Sequence, residues 1–156
     1  GTFFIPTIVM AAIFPGLSQA KHFSAYFRKG AVLLTLSGIV GGAAVFLLAD
    51  SIILWFYAPG FKNSADILEI LAIAIPLVFW GYLMTQSLVA LDHNRIYLVI
   101  TASGLLLNVM LNFWLIPEYG ASGAAVSTVI TEALIPLSCF LIILKYNFSK
   151  SPNNAI

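Results

Sequence analysis

The chain has 156 residues, 61% of them hydrophobic and only 8% charged, and its mean hydropathy is +1.02. Soluble domains are about 45 to 50% apolar and about 25% charged, so this composition excludes an ordinary soluble domain and belongs in a bilayer. A net charge of +1, with no basic stripe interleaved with aromatics, excludes a nucleic-acid partner, and a single cysteine, Cys139, excludes a disulfide framework.

The first apolar run, Thr2 to Phe14, is shorter than the roughly 20 residues that cross a hydrocarbon core. It starts at Gly1, lacks a basic leader, and runs into Pro15-Gly16 rather than a small-residue cleavage site. It therefore reads as the end of a span that begins upstream and not as a signal peptide. Leu17, Ala20, Phe23 and Phe27 then recur at helical spacing between Lys21, Arg28 and Lys29. This pattern predicts a short amphipathic connector over 17–29 lying on the inner membrane surface.

Four full-length apolar segments follow, predicted as spans from Gly30 to Ala49, Ala65 to Leu91, Ile96 to Ile116 and Ala121 to Leu144. Asp50-Ser51 closes the first of these, with Asp50 read as an N-cap, and Ile52 to Tyr57 supplies aromatics of the kind found at headgroup level. Pro59-Gly60 makes a turn, and Asn63 caps the next helix, with Asp66 and Glu69 in its positive first turns. Short connections force antiparallel neighbours. Lys21, Arg28, Lys29, Arg95, Lys145 and Lys150 then share one side, and only Lys62, with Asp66, Glu69 and Glu118, lies on the other. The positive-inside rule makes the first side cytoplasmic and leaves 145–156 as a cytoplasmic tail. The expected fold is all-α: a polytopic membrane helix bundle of about five spans.

His22 and His93 lie in the cytoplasmic connections, no metal-ligand spacing occurs, and no serine has a histidine and a carboxylate as partners. Neither an enzyme nor a metal or organic cofactor is expected. The informative residues are polar or helix-breaking ones inside the membrane. Glu132 lies near the middle of the last span, where an ionised carboxylate costs roughly 2.5 to 3.5 kcal/mol on insertion scales. Pro136, four residues on, has no N–H for the Glu132 carbonyl. Glu132 reads either as a neutral carboxyl hydrogen-bonded to a neighbouring helix or as an ion-coupling or sugar-contacting site, and the first reading is preferred. Asn108 and Asn112 share one helix face and read as interhelical glue, with a cavity-lining role as the alternative. Pro76 marks a kink that is either static or a flexing point. Ser37 with Gly41, Gly38 with Gly42, and Gly123 with Ser127 let helix backbones approach closely.

Pro117 is read as a helix end and Glu118-Tyr119-Gly120 as an outer turn, so LIPEYGASGAAVST, residues 115–128, is a hairpin between two spans. This hairpin, within LNFWLIPEYGASGAAVSTVITE, and the segments FPGLSQ, YAPGFKNSADILEILAIAIPL and ALDHNR resemble the carboxy-terminal half of polysaccharide biosynthesis flippases. That superfamily also contains the lipid II flippases and the multidrug and toxic compound extrusion transporters. The resemblance covers nearly the whole chain, and the asparagine-proline-glycine hairpin is its most specific part.

The resemblance implies a transporter of two six-helix lobes, of which this chain would supply the eighth to twelfth helices as most of one lobe, the amino-terminal lobe being absent. It implies alternating access and translocation of an undecaprenyl-diphosphate-linked oligosaccharide across a bacterial or archaeal cytoplasmic membrane, with a polysaccharide polymerase and a chain-length regulator as further partners. By the same comparison Phe3, Phe4 and Thr7 fall on the helix that lines the central cavity. No span carries an Arg or Lys at membrane depth to meet a diphosphate, so that charge is expected in the other half. A cation-coupled multidrug antiporter of the same superfamily, or a non-transporting scaffold of a polysaccharide-assembly complex, are the alternatives.

Overall fold

Long uninterrupted apolar runs with few charges favour helices whose backbone bonds close internally, and the chain forms four in order: α1 (Phe4–Leu17), α2 (Phe23–Phe56), α3 (Lys62–Ala90) and α4 (Asn94–Ser149). The computed structural model describes residues 4–19, 21, 23–56 and 62–149. No strand occurs among the described residues.

Three of these helices are long and apolar enough to cross a membrane: Phe23–Phe56, Ser64–Ala90 and Asn94–Lys145. The sequence predicts about five spans, and the difference has a physical source in α4. Helical backbone continues through Pro117 and resumes immediately after Gly120, the one residue of α4 with non-helical angles (φ 57°, ψ −135°). Gly120, not Pro117, therefore ends the first arm. A residue with a Cβ is strained there. The arms 94–119 and 121–149 fold back on each other. Gly104 faces Ile135, and Gly123 lies so close to the Leu115 carbonyl that a side chain at 123 would collide with it.

Helix α3 is central and packs against α1, α2 and α4. The buried positions of α2, namely Phe23, Gly30, Leu34, Gly38, Gly42, Ala49 and Ile53, recur at four- and seven-residue spacing and so form one narrow stripe. A Cβ on Gly38 would lie 2.8 Å from Pro76 Cα, and one on Gly42 would lie 2.9 Å from the Ala72 carbonyl oxygen. Backbone thus meets backbone, and the order of these contacts makes α2 and α3 antiparallel. Met10, Ile13 and Leu17 of α1, Phe23 and Leu34 of α2, Leu83, Met84 and Leu88 of α3, and Cys139 and Ile143 of α4 form the shared core. Outside that core the surface is apolar: Val40 is 67% exposed and Leu47 78%. Exposed apolar faces with small and buried residues turned inward are what lipid as a solvent selects.

The connector between α3 and α4 is short because its geometry is tight. The His93 N–H donates to the Leu88 carbonyl (2.9 Å) and the Asp92 N–H to the Val89 carbonyl (3.0 Å), while Asp92 takes the left-handed conformation (φ 63°). This is a Schellman-type cap with an aspartate where glycine is usual. Antiparallel packing brings Lys21, Arg28, Lys29, Arg95 and Lys145 to one end of the bundle. Exposed Trp55, Phe56, Phe113, Trp114 and Tyr119 gather toward the other end, as interfacial aromatics do.

Several local expectations are corrected. Leu17 and Phe23 are buried in the core, and Phe23–Lys29 is the opening of α2 with Phe23 stacked on Phe27 (ring centroids 5.5 Å apart). The connector 17–29 is therefore not a separate surface helix. Asp50 is no N-cap but an exposed residue inside α2, which runs on to Phe56 because Ile52 and Ile53 continue its packed face. Helix α3 starts at Lys62, which puts Asn63 inside it, and ends at Ala90. The expected tail begins as helix, through Ser149. Pro59-Gly60, Ala20, His22 and residues 150–156 lie outside the described residues.

Candidate functional site

Three groups of polar residues stand out inside the membrane. The first is the α4 hairpin, where Ser127, Asn112, Asn108 and Thr131 form a directed chain of hydrogen bonds. The Ser127 hydroxyl donates to Asn112 Oδ1, sharing its proton with the Ala124 carbonyl at 2.9 Å. Asn112 Nδ2 donates to Asn108 Oδ1 at 3.0 Å, and Asn108 Nδ2 to Thr131 Oγ1 at 3.1 Å. The Thr131 hydroxyl closes the circuit by donating to the Ser127 carbonyl at 3.0 Å. Four-residue spacing on each arm puts both members of each pair on one face, and close approach at Gly123 and Gly104 lets the faces meet. Asn108 and Asn112 are thus engaged in joining the arms, each with one amide N–H and its carbonyl used.

The second place is the groove between α3 and the second arm of α4. Glu132 is half-buried, and its Oε2 would be 3.9 Å from a Cβ on Gly81; Pro136 Cγ would be 3.8 Å from the same point. The carboxyl and the proline ring thus face Gly81 at a distance that would leave space for a Cβ there in ordinary contact. The carboxyl makes no hydrogen bond among the described residues, and the neighbouring-helix partner expected from sequence is not found among them. Pro136 is fully buried and leaves the Glu132 carbonyl without its helical donor. Trp80 and Phe140, with ring centroids 6.3 Å apart, pack the next level of the same interface. Pro76, on the other face of α3, is a wedge fitted against Gly38 and Gly42.

The third place was missed by sequence reasoning apart from one residue. A cleft of about 390 Å³ opens between α1 and α3, lined by Thr7, Ala11, Phe14, Pro15, Tyr82 and Gln86 among others. Thr7, Ala11 and Pro15 recur every four residues and form one stripe on α1, while Tyr82 and Gln86 do the same on α3. Thr7 Oγ1 and Tyr82 OH lie 3.4 Å apart, at the long end of hydrogen-bond reach. The sequence signal was the four-residue spacing of Tyr82 and Gln86 within an apolar span. Of the other residues assigned to this region by resemblance, Phe3 lies outside the described residues, and Phe4 opens α1 without a described side chain.

The chain is 26% identical over 142 residues to an uncharacterized membrane protein of Methanocaldococcus jannaschii, an alignment covering 91% of this chain and 33% of that relative. The chain thus spans about one third of the length of the curated relative it matches. No family model matches it, and no solved structure matches it. Together, the long apolar helices and this relative make the chain part of a multi-pass membrane protein.

Proposed function

We propose that this chain is most of one lobe of a transporter that moves a polyprenyl-diphosphate-linked oligosaccharide across the cytoplasmic membrane by alternating access. In this reading α2, α3 and each arm of α4 cross the bilayer, and α1 is the inner part of a further crossing, which gives about five spans. The basic end faces the cytoplasm. The chain acts as a carrier and not as an enzyme, and its partners are the lipid-linked glycan, the bilayer, the other lobe, and the polymerase and chain-length regulator of polysaccharide assembly.

The observation that carries this reading is the hairpin at 115–128. Of the family-like stretch 111–132 that contains it, Asn112, Gly120, Gly123, Ser127 and Thr131 build the hydrogen-bonded, closely packed α4 hairpin around Gly120. The polar cleft beside α1 adds support, since polar groups at membrane depth usually face a protein interior or an aqueous path. One observation favours the second reading, a cation-coupled antiporter: Glu132 sits at a helix interface with no hydrogen bond among the described residues.

The test is reconstitution of the full-length protein in liposomes, following a fluorescent undecaprenyl-diphosphate oligosaccharide between leaflets with an organic cation as control cargo. Movement of the glycolipid and not the cation is expected. Movement of the cation alone replaces the flippase with the antiporter, and movement of neither removes both in favour of a scaffold.

A further inference from the structure

We propose that the cleft between α1 and α3 is a subsite for the uncharged sugar part of the cargo, with Gln86 and Tyr82 as the residues that select a glycan. The proposal rests on the flippase reading and adds to it a place and a chemistry.

Four hydrogen-bonding groups converge on this cleft. The Thr7 and Tyr82 hydroxyls face each other across it. The Gln86 side-chain amide lines it half-buried and makes no hydrogen bond among the described residues. The fourth is backbone: Pro15 has no N–H, so the Ala11 carbonyl lacks its helical donor, and both residues line the cleft on an exposed stripe of α1. An amide and a carbonyl turned toward lipid tails are costly because hydrocarbon offers no hydrogen bond. This face therefore meets a polar occupant.

The lining also decides which one. No Asp, Glu, Lys or Arg is among the described residues that line the cleft, so a diphosphate finds no counter-charge there. Donors and acceptors are mixed and neutral, and Met10 and Phe14 supply an apolar wall beside them. A sugar presents the same mixture: hydroxyls that both donate and accept, around an apolar ring face. The volume of about 390 Å³ falls within the roughly 300 to 1,000 Å³ of small-molecule sites. The cleft lies toward the basic end of the bundle, where a cargo made in the cytoplasm would first arrive.

The test uses the full-length protein in nanodiscs and measures binding of fluorescent undecaprenyl-diphosphate oligosaccharide and of sugar-free undecaprenyl diphosphate. The native protein is expected to prefer the glycan-bearing lipid at least tenfold. Gln86→Leu and Tyr82→Phe should each reduce that preference several-fold while leaving sugar-free binding unchanged, and Gln86→Asn should retain most of it. An unchanged preference in both variants overturns the subsite. Loss of sugar-free binding in equal measure also overturns it, by assigning the cleft to the lipid or to folding. Absence of any glycan preference in the native protein strikes the flippase reading itself, which separates the two failures.

Discussion

Asn108 Nδ2 donates to Thr131 Oγ1 at 3.1 Å across the α4 hairpin, and Thr131 passes the bond on to the Ser127 carbonyl at 3.0 Å. In water such a bond competes with solvent. In lipid it competes only with whatever partners the separated helices find, and measured contributions average about 0.6 kcal/mol with a maximum near 1.7. A double-mutant cycle of Asn108→Ala and Thr131→Val, read by unfolding in mixed micelles, is expected to give a coupling within that range. Additive effects would mean that the arms are held by shape alone.

The turn itself depends on Gly120. Its φ of 57° and ψ of −135° suit glycine only, while nothing lies within 4 Å of an added Cβ, so alanine there brings backbone strain and no clash. Gly120→Ala should destabilise the hairpin by about 1 to 3 kcal/mol. Gly81→Ala is the control: it is helical, its Cβ would make ordinary contacts at 3.8 to 3.9 Å, and the gain in helix propensity is at most about 1 kcal/mol. Equal stability for the two variants would contradict the conformation at 120.

Helices α2 and α3 should separate when Gly38 is filled. A Cβ there meets Pro76 Cα at 2.8 Å, which is backbone and cannot rotate away, whereas one on Gly41 meets only Ile75 Cγ2 at 3.7 Å. Gly38→Ala is expected to cost about 1 to 3 kcal/mol as overpacking, and Gly41→Ala close to nothing. Unfolding midpoints of the two variants in the same detergent decide the matter. A tolerant Gly38 would mean that α2 does not rest on the proline.

The α3 cap offers a stabilising change. Asp92 occupies the left-handed region at φ 63°, where a side chain costs roughly 1 to 2 kcal/mol, less for aspartate. Its carboxylate gains only a 3.3 Å bond from Asn94 Nδ2 in return. Asp92→Gly is expected to raise stability by several tenths of a kcal/mol or more, since glycine adopts this conformation freely. A loss of stability would show that the Asn94 contact outweighs the backbone.

Composition and period were enough to read an all-helical membrane bundle, the antiparallel order and the hairpin near 117–121, because Pro, Gly and charge placement act locally. The end of α2 was not legible. Asp50-Ser51 looks like a boundary, yet two polar residues do not stop a helix whose next turn still packs Ile53. At 34 residues, α2 is about 50 Å long and outlasts a hydrocarbon core of about 30 Å. The pairing of Gly81 with Glu132, of Thr7 with Tyr82, and of Gly38 with Pro76 depends on which helix faces which, and no local pattern carries that. Spacing alone could place Asn108 and Asn112 on one face, but not show that Ser127 and Thr131 engage them.

Glu132 gives the sharpest functional prediction. Its carboxyl lies beside Gly81 and makes no hydrogen bond among the described residues, so Glu132→Gln removes no side-chain bond from the fold. If the carboxylate is ionised in the membrane, neutralising it relieves roughly 2.5 to 3.5 kcal/mol. The variant is therefore expected to be at least as stable as the native protein. A group that costs stability without a compensating contact is suited to taking up a proton or a cation, so the same variant should lose dependence of transport on an imposed ion gradient. Stability and gradient dependence measured together separate the possibilities. A destabilised variant makes Glu132 a packing residue after all, and a stable variant with its gradient dependence intact removes the coupling role and the main support for the antiporter.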